Sequence, residues 1–63
     1  MTKYKTHADA IRKHGEEASE ETIGTEDRLI GYTDGSWGFQ LRGSAEIAVG
    51  ETRDDTIEAY EKL

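Results

Sequence analysis

The chain has 63 residues, a formal net charge of −6, 35% charged and 33% apolar side chains, and neither Cys nor Pro. A chain this short forms one small domain over residues 1–63, without disulfides, thiolate metal ligands or a cysteine nucleophile, and the lack of Cys fits a reducing interior. The acidic balance argues against nucleic acid or an anionic membrane as direct ligand, since both require positive charge, and leaves cationic surfaces as partners.

Met1 to Thr6 is basic and polar, and the longest apolar run is Ile47 to Val49, so no signal peptide or membrane span is expected. A soluble, cytoplasmic monomer is the expectation.

Thr6 followed by Asp9 makes a capping signature, which starts a helix at His7. Ala8, Ile11, Gly15 and Ala18 recur at helical spacing and form a narrow face of small side chains. One helix from His7 to about Glu21 is predicted, with a break at Gly15 as the alternative, because glycine inside a helix costs about 1 kcal/mol.

Between Glu16 and Asp27 lie Glu16, Glu17, Glu20, Glu21, Glu26 and Asp27, with no Lys or Arg among them. On a continuous helix, Glu16 with Glu20 and Glu17 with Glu21 are like-charge pairs one turn apart, at the end where the dipole disfavours anions. Four helical residues rise about 6 Å, not far from the spacing of successive phosphates along a DNA strand. A solvated charged face is the competing reading, and a break at Gly15 would put Glu16 and Glu17 at a favourable helix start.

Leu29 to Thr33 and Trp37 to Leu41 flank Asp34-Gly35, which suits a two-residue type I′ hairpin. That loop sets Thr33 against Ser36, Tyr32 against Trp37, Gly31 against Gly38 and Ile30 against Phe39. A three-residue loop, Arg42-Gly43-Ser44, then sets Leu41 against Ala45, Phe39 against Ile47 and Trp37 against Val49. Every large apolar pair falls on one face, which carries Ile30, Tyr32, Trp37, Phe39, Leu41, Ile47 and Val49. Gly31 and Gly38 would share the other face, either admitting a close neighbour or serving sheet twist.

Thr52 followed by Asp55 caps a closing helix from Arg53 to about Lys62, with Thr56, Ile57, Ala59, Tyr60 and Leu63 turned to the sheet. Asp54, Asp55, Glu58 and Glu61 form a second acidic patch. The predicted fold is α+β: a three-stranded antiparallel meander flanked by an N-terminal and a C-terminal helix.

Catalytic signals are weak. His7 and His14 are too far apart to chelate one metal as an i, i+4 pair can, no Ser sits in a nucleophile elbow, and Gly31, Gly35, Gly38 and Gly43 are spread through strands and turns and do not lead into a helix N-terminus. No enzyme activity, cofactor or metal is expected. The ten acids from Glu16 to Asp27 and from Asp54 to Glu61 are the candidate partner-binding residues.

In length, acidity, lack of Cys and compact mixed architecture, the chain resembles phage-encoded anti-CRISPR proteins of the DNA-mimic kind. That resemblance implies that the acids occupy a Lys/Arg groove on a type I surveillance complex, where target duplex binds on its protospacer-adjacent side. The segment Gly50-Glu51-Thr52-Arg53-Asp54-Asp55-Thr56-Ile57-Glu58-Ala59 is similar to the strand-to-helix passage of HicB-type antitoxins. This second likeness implies an interaction module that neutralises a basic ribonuclease toxin. A structural role without a charged partner is the third reading.

Overall fold

The computed structural model describes residues Met1–Leu63. Both capping signatures form. Asp9 N–H donates to Thr6 Oγ1 at 3.2 Å and opens α1 (His7–His14), while Asp55 N–H donates to Thr52 Oγ1 at 3.1 Å and opens α2 (Arg53–Glu61).

The strands are β1 (Thr2–Tyr4), β2 (Glu17–Ile23), β3 (Asp27–Tyr32), β4 (Trp37–Gln40) and β5 (Ile47–Gly50). They make one five-stranded sheet in the order β1-β5-β4-β3-β2, with every neighbouring pair antiparallel. The class is α+β, but the sheet has two strands beyond the predicted meander. β1 and β2 run parallel at opposite edges, so α1 must cross one sheet face to join them.

The predicted long first helix is corrected at Gly15. There φ is 93° and ψ is −178°, a conformation open to little besides glycine, and Gly15 N–H donates to Ile11 O as the helix closes. The break is real, yet a strand follows it. Glu17 to Thr22 therefore lie on β2, at the sheet edge, and not on a helix. The inward residues of α1 are also different: Ala10 is fully buried, with His7, Ile11 and His14 beside it, whereas Ala8 is exposed.

Both predicted registers slip by one residue. Gly31 pairs with Trp37, Ile30 with Gly38 and Leu29 with Phe39, because the loop contains Thr33, Asp34 and Gly35. Gly35 N–H donates to Tyr32 O at 3.0 Å and Tyr32 N–H to Ser36 O at 2.8 Å, with Gly35 at φ 91°. Asp34 keeps a negative φ, which excludes the type I′ turn. Its carboxylate is engaged instead, accepting from Ser36 N–H at 2.8 Å. On the next pair, Trp37 meets Gly50, Gly38 meets Val49 and Phe39 meets Ala48.

A slip of one moves side chains to the other face. Ile30, Tyr32, Ile47 and Val49 pack with Ala10 under α1, flanked by Tyr4 and Ile11. Leu29 and Phe39, with their neighbour Ala48, lie on the face that α2 covers, where Phe39 meets the Tyr60 ring edge-on at 5.5 Å. The predicted single apolar face is thus two half-cores, one under each helix. The anchor of α2 is Thr56, fully buried, whose hydroxyl lies between the carbonyls of Trp37 and Thr52 at 2.9 and 2.8 Å. Leu63, predicted to face the sheet, is 76% exposed.

Gly31 and Gly38 do not face one another. A Cβ on Gly31 would lie 3.0 Å from the Trp37 ring, and one on Gly38 would meet Ala48 O and Val49 Cγ2 at 3.1 Å. The space beside each glycine is filled by its own sheet, so neither awaits a partner.

Candidate functional site

Strand geometry redistributes the first acidic cluster. Side chains of β2 alternate between faces, with an irregularity in pairing between Glu17 and Ser19. Glu17 and Glu20 lie on the α1 side and Glu21 on the α2 side.

Each finds a cation. Arg28, on β3, bonds both oxygens of Glu20 at 3.1 and 2.8 Å, reaches Glu17 at 3.3 Å, and donates to Gln40 Oε1 at 2.9 Å. The guanidinium holds the Glu20 carboxyl below its ordinary value. On the other side Arg53 forms a two-point pair with Glu21 at 3.0 and 2.7 Å, which lowers the Glu21 carboxyl likewise. The same guanidinium stands 5.7 Å from the centre of the Trp37 ring, a cation-π arrangement.

Glu26 ends the turn after β2 and Asp27 opens β3. Glu26 pairs with Arg42. Asp27 accepts from the Tyr60 hydroxyl and from Arg42 N–H, and these two donors depress its carboxyl, the tyrosine more strongly. Asp27 therefore ties the β2–β3 hairpin to α2.

In the second patch Glu58 pairs with Lys62 at 3.0 Å, while Asp54, Asp55 and Glu61 make no ion pair. Glu16, before β2, makes none either. Of the ten predicted acids, six are thus engaged within the chain and four are free. Asp54, Glu58 and Glu61 share the solvent face of α2 at helical spacing. Glu61 and Glu21 line one groove of about 330 Å³, together with Arg53, Ile57 and Tyr60. The fold brings the α2 patch up to Glu21 and leaves Glu17 and Glu20 on the opposite side.

A second polar cluster was missed in the sequence. His7 and His14, the first and last residues of α1, bracket Tyr32, with ring centres 5.8 and 6.0 Å away. His14 Nδ1 is 2.8 Å from Asp34 Oδ2 and its Nε2 is 2.8 Å from the Tyr4 hydroxyl. His7 Nδ1 is 3.1 Å from the Tyr32 hydroxyl and its Nε2 is 3.4 Å from Glu17 Oε1. An ionised carboxylate only accepts, so in a neutral imidazole the nitrogen facing it carries the proton and the other accepts from the phenol.

Asp34, His14 and Tyr4 thus form one hydrogen-bonded carboxylate–imidazole–phenol relay, while His7 bonds the Tyr32 hydroxyl with Glu17 within ion-pair range, and these contacts fasten the two ends of α1. Burial, with Glu17 nearby, pushes the Tyr32 phenol up to about 12. The Asp34 carboxyl is lowered, first by Ser36 N–H and then by His14. The signal was present as His7, Ala10, Ile11 and His14 at i, i+3, i+4 and i+7. Seven residues apart, the two histidines cannot chelate one metal, but the same spacing sets both on the face of α1 that meets the sheet. No group of three or more His, Cys, Asp or Glu is placed to hold a metal ion, and no helix is long and apolar enough to cross a membrane.

Comparison with family models, with curated proteins and with solved structures finds no match.

Proposed function

We propose that this protein is an acidic binding module that occupies a Lys/Arg-lined nucleic-acid site on a partner protein. The observation that carries this reading is the acidic surface of α2. Asp54 and Glu61 are unpaired, Glu58 stands between them, and the row continues across the groove to Glu21, in a chain of net charge −6. Asp54 and Glu58 are about 6 Å apart along the helix, and Asp54 and Glu61 about 10 Å. A row of carboxylates at such intervals competes for cationic side chains that hold phosphates, since those contacts dominate nucleic-acid affinity.

The size, charge and mixed architecture favour a DNA mimic of the anti-CRISPR kind, acting in a host bacterial cytoplasm on the protospacer-adjacent surface of a type I surveillance complex. Binding as a monomer with no cofactor is part of this reading. The test is displacement of target duplex from such a complex by the wild type and by an Asp54→Asn/Glu58→Gln/Glu61→Gln variant. Equal displacement by both would remove the proposed surface, and no displacement by either would remove the target.

One observation favours the antitoxin-like alternative. β5 ends at Gly50, and Thr52 caps α2 two residues later, the local passage on which the HicB likeness rests. Inhibition of a basic ribonuclease toxin, without effect on the surveillance complex, would select it.

A further inference from the structure

β2 is the outermost strand on its side of the sheet, and Glu17 to Thr22 are all exposed. The direction of its main-chain groups follows from the bonds around β3. Tyr32 N–H donates to Ser36 O on the β4 side, and Thr33 N–H donates to Glu16 O on the β2 side. Bonding direction alternates along an antiparallel strand. Gly31 and Leu29 therefore bond towards β2, and their partners Ser19 and Glu21 bond inward. Glu20 and Thr22 are left with N–H and C=O directed out of the sheet. Such an edge is a template for another strand.

Charge decides which strand it accepts. A second copy of β2 is disfavoured in the registers that overlap most of the strand. Two-fold pairing about Glu20 sets Glu20 against Glu20, and pairing about Ser19 sets Glu17 against Glu21, like charges directly opposite. A cationic strand meets the reverse situation. Glu17 and Glu20 share the single guanidinium of Arg28, with the His7 imidazole also beside Glu17, and unpaired Glu16 stands at the start of the same edge.

We propose that the open edge of β2 takes up an extended, Lys- or Arg-bearing segment of a partner protein by strand addition, with main-chain bonds to Glu20 and Thr22 and cationic side chains beside Glu17 and Glu20. The inference rests on the reading of the partner as cationic, and it adds a backbone contact that imitation of phosphates does not need.

The test is amide chemical shift and hydrogen exchange of the full chain with the peptide acetyl-Lys-Val-Lys-Val-Lys-Val-amide. Exchange at Glu20 and Thr22 should slow at least tenfold, in a salt-sensitive manner. The same peptide N-methylated on the backbone at its three Lys residues keeps the charge and should give no protection, because the residues opposite Glu20 and Thr22 are the ones whose N–H groups face β2. Thr22→Pro in the protein should also abolish protection while keeping every carboxylate; if that variant does not fold, the N-methylated peptide on the wild type decides. Protection at β2 without displacement of DNA from a surveillance complex supports strand addition and removes DNA mimicry. Shifts confined to Asp54, Glu58 and Glu61, with β2 unprotected, overturn strand addition and leave mimicry standing.

Discussion

Gly15 passes so close to Thr33 that a Cβ built on it would lie 2.0 Å from Thr33 Oγ1. The same contact point is where the chain leaves α1 and enters β2, with Thr33 N–H donating to Glu16 O at 3.0 Å. Close approach and positive φ together demand glycine here. Gly15→Ala should cost about 1–3 kcal/mol, from backbone strain alone, and urea unfolding measures it. A loss within a few tenths of a kcal/mol would mean that α1 does not end at this turn.

The two half-cores give a second prediction. Ile30 and Phe39 face different helices, whereas Ile30 and Ile47 share the cluster under α1. Ile30→Val and Phe39→Leu should therefore add within about 0.5 kcal/mol, and Ile30→Val with Ile47→Val should couple by about 0.5 kcal/mol or more. Thermal or urea unfolding of the double-mutant cycles checks this. Strong Ile30–Phe39 coupling would restore the single-faced sheet.

Acid should weaken the fold through carboxyls lowered in the native state. Tyr60 and Arg42 N–H lower Asp27, and Arg53 lowers Glu21. A depressed folded pKa contributes stability that is present above the unfolded value, about 4 for these groups, and lost as pH falls through the folded one. The urea midpoint should hold near neutrality and fall from about pH 5 downward. Tyr60→Phe should flatten that fall. An unchanged profile in the variant would detach Asp27 from its hydroxyl partner.

At alkaline pH the sign reverses for Tyr32. Burial favours the neutral phenol and puts its ionisation at about 12. Its contribution to stability is full below the unfolded value near 10 and is lost as pH rises towards the folded one. Absorbance of tyrosinate should show Tyr32 ionising late or only as the protein unfolds, together with Tyr60, whose hydroxyl bond to Asp27 also raises it, and Tyr60→Phe should leave the Tyr32 step in place. Early ionisation of Tyr32 would contradict its burial.

Much of this fold was legible from short polar signals. Thr6 and Thr52 marked both helix starts, Gly15 marked a break, and Asp34-Gly35 and Gly43 marked the places where the chain reverses between strands. The registers were not legible, because the φ preference of an Asp-Gly dipeptide favours a two-residue loop that this fold does not use. In the folded chain the Asp34 carboxylate bonds Ser36 N–H and His14, which fixes a turn with Asp34 at negative φ. Leu29-Ile30 and Ile47-Ala48-Val49 are continuous apolar runs, the pattern of strands buried on both sides. That clue pointed to two covered faces. β2 had no comparable signal, since an edge strand such as Glu17 to Thr22 buries nothing and need not alternate. Its acids suggested a helix by spacing alone, and only the fold separates those that Arg28 and Arg53 hold from those left free on α2.

That separation leads to the most direct measurement of phosphate mimicry: titration of the duplex-binding surveillance complex with two charge-matched variants at low and high salt. Asp54→Asn/Glu61→Gln removes unpaired acids, and Glu17→Gln/Glu20→Gln removes the pair held by Arg28. Mimicry by the α2 surface predicts that the first variant loses most of its inhibition with an unchanged melting temperature, that the second keeps inhibition but melts earlier, and that wild-type inhibition falls steeply with salt. Inhibition by the Asp54→Asn/Glu61→Gln protein equal to wild type, and indifferent to salt, would contradict it.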